Sequence, residues 1–247
     1  MAPESALHDF RRICGTSAAE PGERRRPLRE RYAVERSALL EWARGAGCLL
    51  DGGDYLSRVQ DGGAEHAVFL DEERDLVFKI TRKFGLTVGT NFHIGKRTQK
   101  YLALPFVRQA TPVEYLERVI LFNELFGDDL RLVGVIGEPE PAIVTTQPVI
   151  RGRDASPAEA EQFMAALGFA PLAGIVVGRR DSASFFRASD GVAAFDAHGE
   201  NILTGAGGVA PIDLFVVRAG EDLAAFLALP AEDRAAEVGQ WVSLSSD

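Results

Sequence analysis

Segments that favour strands and segments that favour helices follow one another along this chain in an order that limits the possible folds. Apolar runs over 67–70 and 76–80, separated by a charged turn, predict two strands. A Thr-Pro-Val-Glu sequence beginning at Thr111 predicts a capped helix. The same reasoning predicts strands over 130–136 and 142–147, a helix from Ser156 and a hairpin over 202–212. This order is typical of an α+β protein rather than of repeated βαβ units.

Composition narrows the class of protein further. The chain has 247 residues, 46% of them hydrophobic, which is enough for one two-lobed domain or two small domains. A net charge of −9 argues against general nucleic-acid binding, since such binding depends on Lys and Arg neutralising phosphates. Two cysteines, Cys14 and Cys48, are too few for a disulfide framework or a zinc site. Because no apolar run reaches membrane-spanning length and residues 1–10 do not follow the order of a signal peptide, we predict a cytoplasmic protein without a membrane partner.

Three segments are expected along the chain. Residues 1–30 are polar and rich in Arg, which predicts a flexible extension, with contact to a partner as the alternative. Residues 31–146 would form a first lobe containing a helix, an antiparallel sheet and a second helix. Residues 147–247 would form a smaller second lobe with the last hairpin and C-terminal helices. The basic stretch over 82–100 is expected either to be a structural loop or to contact phosphate.

The polar side chains around the last hairpin carry the clearest chemical signal. Asn201 follows Asp196 by five positions, and Asp213 interrupts an apolar strand. A single acid in an apolar strand is costly unless it is paired or bound to a metal. Asp196 could orient or deprotonate a hydroxyl group, while Asn201 and Asp213 offer oxygen ligands suited to Mg²⁺. The alternative for Asp196 alone is an acid that caps a turn.

His198 lies between these residues and permits a second interpretation. Asp196, His198 and Asp213 could together form a carboxylate–histidine metal site. We rank this interpretation lower, because His66 and His93 do not show a ligand spacing to His198. We expect His198 to brace the loop instead.

Lys79 stands inside the apolar strand 76–80 and could hold phosphate groups. Strand alternation would also allow its side chain simply to point to solvent. In the functional interpretation its ammonium group bridges the α- and β-phosphates of ATP and needs an acidic partner. We choose Glu117 as that partner because it lies beside the apolar face of the helix predicted after Thr111. Glu114 is the alternative partner, although it could instead serve the helix N-terminus.

Two other places could contact a nucleotide. Gly62 and Gly63 lie between two predicted strands, where they would form either a nucleotide lid or a plain hairpin turn. Gln147 ends a predicted strand at the point where a hinge would set backbone groups against adenine.

Taken together, these residues resemble the protein-kinase-like superfamily, most closely the compact Ser/Thr/Tyr-kinase-like domains of bacterial and phage polyvalent proteins. The Asp-to-Asn spacing matches the kinase catalytic loop, and Asp213 matches the Asp of the later metal-binding motif. The Asp-Ala-His-Gly-Glu-Asn sequence is also similar to the loop of aminoglycoside phosphotransferases. The segments that carry the resemblance are 65–68, 77–81, 111–118, 123–129, 147–152, 196–201 and 212–213.

The resemblance implies a reduced bilobal kinase-like fold, with an antiparallel sheet in the N-lobe and a minimal C-lobe. It implies ATP and Mg²⁺ as cofactors and a protein or small-molecule hydroxyl as acceptor. Lys79 and Glu117 would act on the phosphates, Asp196 as catalytic base, and Asn201 and Asp213 on Mg²⁺. Since few residues follow Asp213, a small-molecule kinase is the first alternative to a protein kinase. A non-catalytic nucleotide-binding module is the second.

Overall fold

The computed structural model describes residues 1–14 and 27–238 of the chain. Its helices are α1 Pro3–Cys14, α2 Leu28–Gly45, α3 Gly52–Leu56, α4 Pro112–Phe126, α5 Pro157–Ala166, α6 Glu221–Leu227 and α7 Ala231–Val238. Its strands are β1 Leu49–Leu50, β2 Asp61–Gly62, β3 His66–Asp71, β4 Leu76–Thr81, β5 Leu86–Ile94, β6 Tyr101–Gln109, β7 Arg131–Ile136, β8 Ala142–Pro148, β9 Arg153–Asp154, β10 Ala170–Pro171, β11 Ala183–Arg187, β12 Val192–Ala197, β13 Ile202–Gly205, β14 Gly208–Pro211 and β15 Phe215–Arg218.

The prediction of an α+β protein is confirmed, since helices accompany several mainly antiparallel sheets. The chain divides into two compact units. The first unit contains residues 1–86 and 109–149, and the second contains residues 87–108 and 150–247. The units therefore interleave along the sequence, because residues 87–108 lie inside the predicted 31–146 lobe but group with the second unit. Within the described ranges, every helix is too short or too polar to cross a membrane.

A six-stranded sheet organises the first unit. Its strands lie in the order β1-β7-β8-β4-β3-β2, and all pairs are antiparallel except β1 with β7. One face carries an apolar core to which Phe69 on β3 and Phe78 on β4 contribute stacked rings at 4.6 Å. Strand alternation directs Lys79 to the opposite face. Tyr115 of α4 contacts this opposite face, so the helix covers the polar side of the sheet.

The start of α4 shows why the sequence signal at Thr111 is reliable. The Thr111 hydroxyl accepts from the Glu114 N–H, and the Glu114 carboxylate accepts from the Thr111 N–H, which forms a capping box. Gly127 ends the helix with a φ of 66°, a conformation that glycine adopts without steric cost. The predicted helix limits are therefore confirmed.

The beginning of the chain is more structured than the predicted flexible extension over 1–30. Helix α1 contacts both α2 and α4 and buries Ala6, Leu7 and Phe10. Its apolar residues recur at helical spacing, but the surrounding charges hide that pattern in the sequence. Residues 15–26, which include the Arg-rich part of the predicted extension, lie outside the described residues.

In the part of the second unit that the structure describes, the strands form three separate sheets. Strands β10-β11-β12-β15 form the largest, β14-β13-β9 form a second, and β5-β6 form a two-stranded sheet. The predicted last hairpin is confirmed, with Leu203 of β13 opposite Ala210 of β14. Strands β5 and β6 were not predicted, because their apolar alternation is broken by Gly89 and by a basic turn.

Candidate functional site

The strongest candidate site in the second unit is the loop that joins β12 to β13. Asp196 stands near the end of β12 with a φ of 60°, a left-handed conformation that is uncommon for residues other than glycine. Asn201 ends the short 3-10 turn Gly199–Asn201, and its side-chain Nδ2 donates to the Asp196 backbone oxygen at 2.9 Å. The same Nδ2 lies 3.2 Å from Asp196 Oδ2. The five-residue spacing seen in the sequence therefore produces a closed contact.

A second chain segment fixes the other carboxylate oxygen of Asp196. The backbone N–H of Arg179 donates to Asp196 Oδ1 at 2.8 Å. Gly178, with a φ of 94°, approaches so closely that a Cβ atom there would lie 2.3 Å from Asp196 Oδ1. Only glycine permits this approach, so one carboxylate oxygen is oriented by the backbone, while the Asn201 side chain contacts the other.

Asp213 is held beside this loop through the backbone of Asn201. The Asn201 carbonyl accepts from the Ile212 N–H at 2.8 Å and lies 3.5 Å from the Asp213 nitrogen. Asp213 is also close enough to raise the pKa of Asp196. The structure thus brings Asp196, Asn201 and Asp213 together.

Burial governs the electrostatics of Asp196. Loss of water around the carboxylate raises its pKa above the ordinary value of 3.8, and the charge of Asp213 raises it further. The Arg179 N–H, His198 and the Asn201 amide act in the opposite direction. Carboxylate and amide oxygens, which Asp196, Asp213 and Asn201 possess, are the kinds of ligand that suit a hard divalent cation.

His198 lies close to Asp196 in the loop that joins β12 to β13. Its Nε2 is 3.8 Å from Asp196 Oδ1. The buried Nδ1 atom has no hydrogen-bond partner among the described residues. The side chain is 10% exposed, so the ring is almost enclosed.

Lys79 occupies a polar cluster in the first unit. It lies opposite Val68 on β3 and Thr145 on β8. Its exposed fraction is 8%, so the interpretation of a solvent-facing lysine is wrong. The hydroxyl of Tyr115, on α4, lies 3.5 Å from Thr145 Oγ1. The ammonium group therefore sits on a buried polar face.

Asp128, a residue without a predicted role, is an acid of this unit that lies close enough to feel the charge of Lys79. Gln147 Nε2 donates to Asp128 Oδ2 in a short hydrogen bond. Burial raises the pKa of Asp128, and both Gln147 and the charge of Lys79 lower it. Asp128 directly follows Gly127, the residue that ends α4. An acid directly after a helix end was the feature of the sequence that could have identified it.

Glu117, the predicted partner of Lys79, is engaged by Arg11 of α1 instead. Burial raises the pKa of Glu117, and the Arg11 charge lowers it. The alternative partner, Glu114, serves the capping box and also pairs with Arg31 at 3.1 Å. Both acids therefore stabilise contacts between helices, and the Glu117 prediction is corrected by these contacts.

Gly62 and Gly63 lie at the β2–β3 hairpin, where the plain-turn interpretation is sufficient. The Gly63 N–H donates to the His66 carbonyl at 2.9 Å, and the Gly63 carbonyl accepts from Arg82 Nε at 2.8 Å. At Gly62 a Cβ atom would lie 2.7 Å from the His66 oxygen. The glycines thus allow close approach of two strands.

Comparison with known proteins adds no relative to these observations, since no protein-family model, curated protein or solved structure matches the chain.

Proposed function

We propose that this protein is an ATP- and Mg²⁺-dependent phosphotransferase that moves the γ-phosphoryl group to a hydroxyl, with a Ser/Thr/Tyr kinase-like activity as the preferred form. The observation that carries the proposal is the contact between Asp196 and Asn201, with Asp213 held beside it through the Asn201 carbonyl. The proposal also draws on the resemblance of this loop to kinase catalytic loops. Kinase-like chemistry needs positioning and charge neutralisation more than covalent catalysis.

In this proposal each residue has one role. Asp196 orients the acceptor hydroxyl and receives its proton, and the raised pKa makes its carboxylate a better proton acceptor. Asn201 offers Oδ1 and Asp213 its carboxylate to Mg²⁺, which would neutralise phosphate charge when bound. Lys79 contacts the phosphates, and its burial beside polar groups supports that role.

The site in the first unit supports the proposal through the position of Lys79. In protein kinases the phosphate-binding Lys stands on the third strand of the sheet and the helix follows it. Here Lys79 stands on β4, the third strand of the β2-β3-β4 succession, and α4 is the next helix along the chain. Asp128, rather than Glu117, would set the orientation of the ammonium group.

Mg²⁺-dependent ATP turnover tests the proposal. We expect Asp196→Asn and Asp213→Asn each to lower turnover by about 10²-fold or more, as is usual when a proton-transfer or charge-stabilising group is lost. Asp222→Asn, which changes an exposed Asp in the first turn of α6, is the matched control and should keep wild-type turnover. Full turnover in both site variants would refute the proposal.

Binding is tested separately from turnover. We expect Mg·ATP to raise the melting temperature of the wild type and to raise it less in Lys79→Met. Lys100→Met removes an exposed lysine and should respond as the wild type does. An unchanged response in Lys79→Met would remove Lys79 from the nucleotide site.

A small-molecule acceptor is the second candidate, because His198 stands against Asp196 as the aminoglycoside-phosphotransferase-like sequence would require. Mass spectrometry after incubation with Mg·ATP distinguishes the two. Phosphate on Ser, Thr or Tyr of a protein favours the first candidate. Turnover that requires an added aminoglycoside or another polyol favours the second.

A further inference from the structure

The β5–β6 hairpin of the second unit has no role in the proposed phosphotransfer and presents unusual surface chemistry. Every residue of β5 from Thr90 to Ile94 is exposed. Phe92 is 59% exposed, Ile94 57% and Tyr101 76%. These three are among the most exposed large hydrophobic side chains of the described chain, and they cluster at one end of a single hairpin.

The hairpin geometry places these three side chains on one face. The Gly95 N–H donates to the Lys100 carbonyl at 2.8 Å and closes the turn, which sets Ile94 opposite Tyr101. Phe92 shares the face of Ile94 by strand alternation. A Cβ atom built at Gly95 would lie 3.0 Å from Leu102 Cδ1 and would also be close to the Glu237 carboxylate. Leu102 therefore lies on the other face of the hairpin, the face that is turned toward Glu237.

Helix α7 holds the turn in a fixed conformation. The Glu237 carboxylate accepts from the N–H of Arg97 at 3.1 Å and from the N–H of Thr98 at 3.0 Å. The Lys96 N–H donates to the Glu237 carbonyl at 2.8 Å. Glu237 is 4% exposed, so this anchor is protected from water. The exposed apolar face is therefore presented by a preorganised element, which lowers the entropic cost of binding.

The outer edge of β5 offers backbone hydrogen-bonding groups. Within the described residues, β5 pairs with β6 alone. Since Gly95 donates toward β6, the alternate N–H groups of Thr90, Phe92 and Ile94 point away from it. An exposed edge of this kind is a template for an added strand.

The charge of the hairpin indicates which kind of partner it would attract. Between Leu86 and Gln109 the sequence contains Lys96, Arg97, Lys100 and Arg108 and no Asp or Glu, although the whole chain carries a net charge of −9. Arg97 pairs with Asp233 of α7 at 3.2 Å, whereas Lys96 and Lys100 are exposed. A second copy of this chain would bring like charges of two hairpins together. An acidic partner would be attracted, with the attraction screened by salt.

We propose that the outer edge of β5, with Phe92, Ile94 and Tyr101 beside it, binds an extended acidic polypeptide segment of a partner protein as an added strand. Apolar side chains of the segment would pack on these three residues, and its acids would lie near Lys96 and Lys100. A lipid surface fits less well, because it cannot pair the backbone groups of an open strand edge.

A synthetic peptide in which Glu alternates with Val is the probe, and fluorescence anisotropy with the full chain is the measurement. We expect binding that weakens as salt increases, and weaker binding of the matched Lys–Val peptide. Phe92→Ser combined with Ile94→Ser should lower affinity by about tenfold or more, as expected for removal of buried anchors. Lys96→Glu combined with Lys100→Glu should do the same.

Proline variants test strand addition itself. Thr90→Pro removes an outward N–H and should weaken peptide binding while circular dichroism remains that of the wild type. Asn91→Pro removes an inward N–H and should instead disturb the hairpin. If the wild type fails to bind the Glu–Val peptide, or binds the Lys–Val peptide equally well, the proposal is overturned. Binding to anionic vesicles or an oligonucleotide in place of the peptide would also overturn it.

Discussion

At the scale of single residues, backbone groups and the Asn201 side chain together orient the carboxylate of Asp196. The Arg179 N–H holds one carboxylate oxygen, the Asn201 amide contacts the other, and Gly178 leaves room for the group. Burial nevertheless raises the pKa of Asp196, although the hydrogen bonds from Arg179 and Asn201 lower it, so the charged form of the carboxylate is costly to the fold. In the proposed phosphotransferase, such a site would exchange stability for reactivity.

The pH dependence of stability should report this cost. Because the pKa of Asp196 is raised in the folded protein, the folded state binds its proton more tightly than the unfolded chain does. The contribution of Asp196 to the free energy of unfolding should therefore fall as pH rises from the ordinary pKa of 3.8 through the raised pKa, and should then level off. Asp196→Asn cannot ionise, so its melting temperature relative to the wild type should increase across that window.

Thermal melts of both proteins across acidic and neutral pH measure this difference. Asn tolerates the left-handed backbone at position 196, so the variant should fold. The exposed Asp222→Asn variant controls for loss of one negative charge. If the difference in melting temperature between Asp196→Asn and the wild type were constant with pH, the result would contradict the expected burial of the carboxylate.

Gly178 gives a second prediction at this scale. Gly178→Ala would force a Cβ atom against Asp196 and strain a backbone with a φ of 94°. We expect a loss of about 1–2 kcal/mol in the free energy of unfolding, together with a loss of turnover. Gly207→Ala is the matched control, since a Cβ atom there meets nothing within 4 Å. Equal stability and turnover for the two variants would show that the close approach is not required.

At the scale of elements, helix starts determine where α4 and α5 begin. Thr111 and Ser156 both cap with a side-chain oxygen and are both followed by Pro and, three positions on, by Glu. They differ in burial, because Thr111 is 0% exposed and Ser156 lies at the surface. Loss of a cap should therefore cost more at α4 than at α5.

Urea unfolding of two alanine variants measures this difference. Ser156→Ala should lower the free energy of unfolding by about 1 kcal/mol, the usual cost of a lost cap. Thr111→Ala should cost roughly 2 kcal/mol, because the Glu114 N–H would be left unsatisfied in a partly buried position. Thr111→Ser keeps the hydroxyl and should stay closer to the wild type. A smaller cost at Thr111 than at Ser156 would contradict the role given to burial.

At the scale of the whole molecule, contacts join segments that are far apart in sequence. The second unit takes residues 87–108 from the middle of the chain, and Glu237 of α7 fixes their turn. These backbone N–H groups lower the pKa of Glu237, with Thr98 as the largest cause. The anchor is therefore formed by a carboxylate that stays charged to lower pH than usual.

Acid should release this anchor. Because the pKa of Glu237 is lowered in the folded protein, its contribution to stability is present above the ordinary value of 4.5 and is lost as pH falls through the lowered pKa. Glu237→Gln should lack this dependence and show faster amide hydrogen exchange at Arg97 and Thr98. The exposed Glu232→Gln variant on the same helix is the control. Unchanged exchange in Glu237→Gln would show that the anchor does not hold the turn.

Features of the structure were predictable from the sequence where the interacting residues stand close together along the chain. The start and stop of α4 were predictable because capping by Thr111 and Gly127 involves neighbours in sequence. The Asp196–Asn201 contact was predictable for the same reason, since Asn201 stands only five positions after Asp196. The engagement of Glu117 by Arg11 was missed, because the two residues stand 106 positions apart in the sequence.

The sequence alone determined which residue types are candidates for the proposed chemistry and where several helices and strands lie, because spacing and capping are local properties of the chain. Only the tertiary structure decided which partners those residues have. In the folded protein Lys79 is buried near Asp128, and Glu117 pairs with Arg11. Part of the basic stretch forms a hairpin whose turn is held by Glu237. The physical reason is that burial and ion pairing depend on distances across the fold, and alternation along a strand allows either face to become the buried one.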